Sequence, residues 1–324
     1  LKISFRFFNN EIDNYFYGNG RCQMTLNDLN EKYGIADKIV FEKGTGGLSF
    51  AVIKNDLASA SICLLGAHVT SFQPVDDEPV LWLSEKSFYE EGKAIRGGIP
   101  ICWPWFGMHP DNATLPAHGF VRTRLWEVQE TAVLDDGSCR VVMGLGHDSE
   151  TLKLWPCYFE LKLVVTVGRK LEVELQTTNQ GCENFTFSNA LHTYFNVSDI
   201  RNVTVFGLKD TEYIDTVNGV RERKTQAGEI SFTGETDRVY LDTTAACRIK
   251  DSGLKRDLLV EKNGSRTTVV WNPWIDKSKR MPDFGDDEFN GMLCVETVNS
   301  ENDSITLEPG QEHKIKAIIS VDNL

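Results

Sequence analysis

A two-residue hydrophobic period is the feature that most restricts how this chain can fold. From Tyr158 onward, Leu161, Leu163, Val165 and Val167 alternate with Glu160, Lys162, Val164 and Thr166. Gly168-Arg169-Lys170 reads as a turn, after which Leu171, Val173 and Leu175 alternate with Glu172, Glu174 and Gln176. Successive side chains of a strand point to opposite faces, so this pattern is a hairpin with one apolar and one wetted face. The C-terminus repeats it: Pro309-Gly310 is a turn, and Ile315, Ala317, Ile319 and Val321 line one face of a last strand. Strand-like runs also occupy residues 48–54, 60–65, 140–145, 186–189, 202–206 and 267–271, with Asp136-Gly137, Asn218-Gly219 and Asn263-Gly264 as turns between runs. Helical patterning is confined to residues 26–32 and 87–91. Many strands at short spacing build a sandwich or barrel rather than alternating βαβ units. The chain therefore reads as all-β. No internal repeat or linker divides it, so residues 35–324 form one domain and residues 1–34 an N-terminal extension. Met24 is the first methionine and the expected native start, which makes residues 1–23 an upstream addition without a part in the fold.

Charge and cysteine usage narrow the function. Lysine plus arginine total 34 against 47 acidic residues, a formal net charge of −13. Nucleic acids and anionic membranes need a basic footprint, so neither is an expected partner. An anionic substrate would have to meet a local cluster of arginines against an unfavourable field. The eight cysteines are scattered and form no CxxC pair, which fits reduced thiols and a cytoplasmic setting. No apolar run reaches the length of a membrane helix, and Asn9, Asn10, Glu11, Asp13 and Asn14 interrupt any signal-type core. The P-loop, dinucleotide, HExxH and GxSxG patterns are all missing from the sequence, and so is an HxH pair.

Two stretches break the strand rhythm, residues 94–126 and 271–298. Long irregular loops inside a β domain usually carry function. In the first, Arg96 precedes Gly97-Gly98, and His118-Gly119 precedes Arg122. Glycines let backbone approach a ligand, and guanidiniums offer planar forks for a phosphate or for vicinal hydroxyls. Taken alone, Arg96 reads equally as a surface arginine before a turn, and Arg122 with Arg124 as two outward residues of a strand. His192, in an apolar run, reads as readily as a hydrogen-bonded core histidine. Glu296 is the stronger signal: an acid inside Met-Leu-Cys-Val-Glu-Thr-Val, where burial would raise its pKa toward neutrality. Asp237 by itself is an ordinary turn acid, and residues 283–288 read as a solvated acidic loop.

Taken together, RGGIPICWPWFG, PAHGFVR, ALHTYF, TDRVY, WNPW, DFGDDEF and CVETV resemble the hexose-6-phosphate mutarotases, the glucose-6-phosphate 1-epimerases of the galactose mutarotase-like superfamily. The resemblance runs in order from about residue 35 to the C-terminus. It implies a β-supersandwich of two large antiparallel sheets and a cofactor-free, metal-free reaction in a single cleft, with a monomer as the default. By position, His192 corresponds to the general acid and Glu296 to the general base. Arg96, Arg122 and Asp237 correspond to substrate-binding residues, and His118 to the histidine of the HG motif. Where some relatives carry a substrate-binding Gln before that histidine, this chain has Ala117. The implied reaction interconverts the α and β anomers of D-glucose 6-phosphate, with Glu296 ionised and His192 protonated in the active form. A mutarotase for free aldoses and a non-catalytic carbohydrate-binding module are the alternative readings.

Overall fold

In a computed structural model that describes residues 24–323, two eight-stranded antiparallel sheets form the framework of the chain. Residues 1–23, the expected upstream addition, lie outside the described part. The alternating hairpin is present as Phe159–Val167 and Leu171–Asn179, with every second residue buried along both strands. Its register runs from Phe159 opposite Asn179 to Val167 opposite Leu171. The C-terminal strand Glu312–Asn323 pairs with Leu171–Asn179 on one side and with Arg256–Asn263 on the other. It therefore lies inside its sheet rather than at an edge.

The second sheet runs Glu222–Thr225, Glu212–Asp215, Thr236–Tyr240, Thr267–Asn272, Met292–Asn299, Asn189–Leu191 and Ile101–Cys102, and Tyr194–Asn196 also pairs with Met292–Asn299. Every residue of Met292–Asn299 is buried, on both faces of the strand. A strand covered on both sides loses alternation and reads as a continuous apolar run. That is how Glu296 comes to sit among Met, Leu, Cys and Val. Leu163, Val173 and Ile319 from one sheet share a single core with Leu191, Val270 and Val295 from the other. The arrangement is the expected all-β supersandwich. A four-stranded sheet from Ile39–Lys43 to His68–Pro74 and a small pair, Phe185–Phe187 with Ile305–Leu307, complete it.

The helix Leu26–Tyr33 starts at Thr25, whose side chain and that of Asp28 cap each other's backbone N–H groups. Although placed ahead of the domain by its sequence position, it packs onto it. Leu29 is in the core, and the Asn30 amide both donates to and accepts from the Phe41 backbone at 2.7 and 2.8 Å. Residues 87–91, expected to be helical, are irregular, and short helices form instead at Thr151–Leu154 and Trp274–Ser278. Among the described residues no helix is long and apolar enough to cross a membrane.

The irregular stretch 94–126 is anchored by its tryptophans. Trp103 is fully buried and meets Phe120, Trp155 and Phe159 with ring centroids 6.0, 4.9 and 4.4 Å away. Trp126 donates its indole N–H to the Val121 carbonyl at 3.1 Å. Val121–Thr123 is a 3-10 turn, so Arg122 and Arg124 do not alternate along a strand.

Candidate active site

Strand pairing brings His192 to Glu296. Leu191 lies opposite Thr297, and the chain rejoins the same neighbour at Tyr194 opposite Cys294. His192 and Thr193 fill the gap in the ladder, and the His192 N–H turns to the Pro100 carbonyl at 3.1 Å. The result places His192 Nδ1 3.3 Å from Glu296 Oε1, with the two side chains 8% and 1% exposed. Neither His192 Nδ1 nor Glu296 Oε2 has a well-formed hydrogen bond, so polar atoms without partners border this point.

Burial sets the charge of the pair. It pushes the Glu296 carboxyl well above the carboxylate range, with the nearby Asp237 carboxylate adding to the effect. It drives His192 well below its ordinary value, helped by the neighbouring His118 ring and by the charges of Arg96 and Arg122. Both directions favour a neutral imidazole beside a protonated carboxyl, one shared proton on the carboxyl side. The ionised Glu296 and protonated His192 expected from the sequence have the same proton count. They differ by one transfer across the 3.3 Å gap.

Three cationic or imidazole groups surround the pair. Arg96 Nε and Nη2 bind the Asp283 carboxylate, at 3.2 and 3.0 Å to Oδ2, and Nη1 donates to the Tyr194 hydroxyl at 3.0 Å. The acidic run is thus not wholly solvated. Asp283 is 14% exposed, and Glu288 accepts hydrogen bonds from Ser84 Oγ and the Glu85 N–H at 2.6 and 2.7 Å. Arg122 differs from Arg96: its Nη2 donates to the Ala117 carbonyl at 2.8 Å, and among the described residues it makes no ion pair. Ala117, lacking an amide side chain, contributes its backbone instead.

His118 has φ +63° and precedes Gly119 at φ +73°. A Cβ on Gly119 would fall 1.8 Å from the Trp103 carbonyl oxygen, so only glycine lets this loop pass the Trp103 backbone so closely. The His118 ring lies 5.6 Å from that of His192. Burial, with Arg122 and Arg96 beside it, lowers its pKa to about 3. Its Nδ1 accepts the Gly107 N–H at 3.2 Å, which leaves the proton of the neutral ring on Nε2.

Asp237 is not a turn residue; it lies on the strand Thr236–Tyr240, opposite Trp271. Burial raises its pKa while Lys277 Nζ, 3.4 Å away, opposes that shift. The structure thus gathers Arg96, His118, Arg122, His192, Asp237 and Glu296 around one point. It adds four groups that the sequence reading missed: Tyr194, Lys277, Asp283 and Cys294. Cys294 was accessible to pattern reasoning, since it stands two residues before Glu296 and shares its strand face. Asp283 and Lys277 carry no local signal. His192, Cys294 and Glu296 offer ligand atoms all within 4.8 Å of one another, a set able to hold a metal ion.

The supersandwich fold, together with the sequence matches that follow, places the chain among the epimerases, a class of isomerase. Residues 50–320 match the aldose 1-epimerase family model, and the chain belongs to that family. A Cenchrus ciliaris protein named "Putative glucose-6-phosphate 1-epimerase" is 40% identical over 81% of this chain and 80% of its own. An Escherichia coli K12 protein of the same name is 39% identical over 81% of this chain and 87% of its own. A Salmonella typhimurium crystal structure described as "a putative mutarotase" superposes with a TM-score of 0.83 at 34% identity, covering 90% of this chain and 96% of that one.

Proposed function

We propose that this enzyme interconverts the α and β anomers of D-glucose 6-phosphate, and of related hexose 6-phosphates, by opening and closing the pyranose ring. The observation that carries the choice of substrate is Arg122, a partly buried guanidinium with a single backbone acceptor and no carboxylate within ion-pair distance among the described residues, beside the His–Glu pair. Burying an unpaired charge is costly, and a ligand of opposite charge removes that cost. A phosphate ester supplies one, whereas a free aldose offers only hydroxyls. Arg96 already shares its charge with Asp283 and has two N–H groups left for the ester or the ring.

His192 and Glu296 carry the chemistry. The basic member of the pair takes the O1 hydroxyl proton while the acidic member gives its proton to O5. The C1–O5 bond breaks, C1=O1 forms, the aldehyde turns about C1–C2, and the steps reverse on the other face. One proton enters the pair and one leaves, so its count is unchanged. We assign O1 to Glu296 and O5 to His192, which requires the proton on the imidazole. Arg96 and Arg122 are among the charges that suppress that form. A bound phosphate dianion neutralises them, so the ester itself favours the imidazolium. Asp237 and His118 are assigned to hydroxyls of the ring.

Each acid or base is worth about 10²–10⁴-fold in rate. The test is the anomerisation rate of glucose 6-phosphate followed by NMR, which Glu296→Gln should lower by about 10²–10⁴-fold. Unchanged activity in that variant would overturn the assignment. Seven free cysteines among the described residues support a reducing, cytoplasmic setting, and one chain supplies every group of the site, in keeping with a monomer.

A further inference from the structure

The His–Glu pair is bordered by a group that anomerisation does not use. The Cys294 thiol lies on the same strand face as Glu296, fully buried, and its sulfur, a His192 ring nitrogen and a Glu296 carboxylate oxygen lie within 4.8 Å of one another. We propose that His192, Cys294 and Glu296 form an inhibitory site for a thiophilic divalent cation of the zinc class, whose occupation excludes the sugar. Three features of the site point to this ligand.

The donor set is one imidazole, one thiol and one carboxyl, the three ligand types that zinc takes in proteins. Three protein ligands with a fourth position open to solvent or ligand is a common zinc arrangement. The His192–Glu296 spacing also fits, and the Cys294 sulfur lies within 4.8 Å of both. Two ligand atoms about 2.05 Å from a tetrahedral ion stand about 3.3–3.4 Å apart, and His192 Nδ1 to Glu296 Oε1 is 3.3 Å. Finally, His192 Nδ1 and Glu296 Oε2 are buried without hydrogen-bond partners, so the groups that would turn to an ion are not committed elsewhere. Calcium and magnesium prefer all-oxygen shells and are not expected to bind. On binding, the proton held by the His–Glu pair and the thiol proton of Cys294 leave to solvent. His192 and Glu296 are then engaged on the ion and unavailable to O1 and O5.

The inhibitory effect rests on the proposed activity, whereas the metal site itself does not. Cadmium, added as its chloride to purified protein, gives an ultraviolet thiolate-to-metal charge-transfer band. The expected result is a band saturating at one equivalent, lost in Cys294→Ala, and titrating about tenfold more weakly in Glu296→Gln, which keeps the thiol. Circular dichroism establishes that both variants are folded, and Cys294→Ser serves if the alanine variant is not. Zinc should slow anomerisation of glucose 6-phosphate in the wild type, chelator should restore it, and Cys294→Ala should resist it. A cadmium band of the same size and midpoint in Cys294→Ala, or none in the wild type, would overturn the proposal. An enzyme without anomerase activity that still shows the Cys294-dependent band would overturn the functional reading and leave the metal site standing.

Discussion

The rings of His192 and Tyr194 stack with centroids 4.6 Å apart and planes within 10° of parallel, while the Tyr194 hydroxyl accepts a hydrogen bond from Arg96 Nη1 at 3.0 Å. One side chain thus packs against the proposed acid and holds a proposed phosphate ligand. Tyr194→Phe keeps the stack and removes the hydroxyl. A hydrogen bond to a charged group is worth about 1.5–3 kcal/mol, so KM for glucose 6-phosphate should rise about tenfold or more with kcat changed little. Steady-state kinetics separate the two. A fall in kcat at constant KM would place the role of Tyr194 on His192 instead.

Arg122→Met separates binding from stability. Loss of the unpaired guanidinium should weaken binding of glucose 6-phosphate by about 100-fold and leave any residual activity on free glucose little changed. Replacing a buried charge by an apolar group of similar length is often neutral or stabilising, so Tm should stay level or rise. Calorimetry and substrate titration on one preparation check both. A large fall in Tm would show that Arg122 supports the fold through the Ala117 carbonyl.

His68 governs an acid-side loss of stability. Its Nε2 bonds the Gly97 carbonyl at 2.7 Å, and burial, the largest cause, lowers its pKa from 6.5 to about 4. The folded pKa is depressed, so the unfolded chain binds this proton first. Stability is therefore full above pH 6.5 and declines as pH falls toward about 4. His118, lowered to about 3, extends the decline. Chemical unfolding between pH 7 and 4 should show ΔG falling, and His118→Asn should flatten the slope by about one proton where that variant folds. A pH-independent ΔG would contradict the burial of both rings in neutral form.

The legible part of this chain is the part whose neighbours are local. Alternation around Gly168-Arg169-Lys170 located a hairpin because each strand has one buried and one wetted face. Glu296 stood out because its strand is buried on both faces, which makes any acid there conspicuous. Strands such as Thr236–Tyr240 and Arg256–Asn263 were missed because charged residues interrupt their period. Arg256, for example, is buried and bonded to the Glu78 and Pro79 carbonyls and Asp77, partners far away in sequence. Asp283 was assigned to solvent for a similar reason. Its partner Arg96 is 187 residues distant, and no local pattern reports such a contact. The gap in the ladder at His192 and Thr193, which sets the His192–Glu296 geometry, is a property of pairing with Met292–Asn299 and has no signature in either segment alone.

His192→Gln and Glu296→Gln should each lower kcat by about 10²–10⁴-fold, and the double variant should be little worse than either single one. Residues that act as one proton-exchanging unit are not additive. Fully additive losses would mean that the two groups work in separate steps rather than as a pair across 3.3 Å.

A phosphorylated hexose is the proposed substrate because Arg122, beside the His–Glu pair, makes no ion pair among the described residues. Exchange spectroscopy of the anomeric protons, on glucose 6-phosphate and on glucose side by side at equal enzyme, tests it most directly. Acceleration for the ester should be at least about 100-fold greater than for the free sugar. Equal acceleration of both sugars, or a preference for glucose, would contradict it and return Arg96 and Arg122 to the binding of hydroxyls.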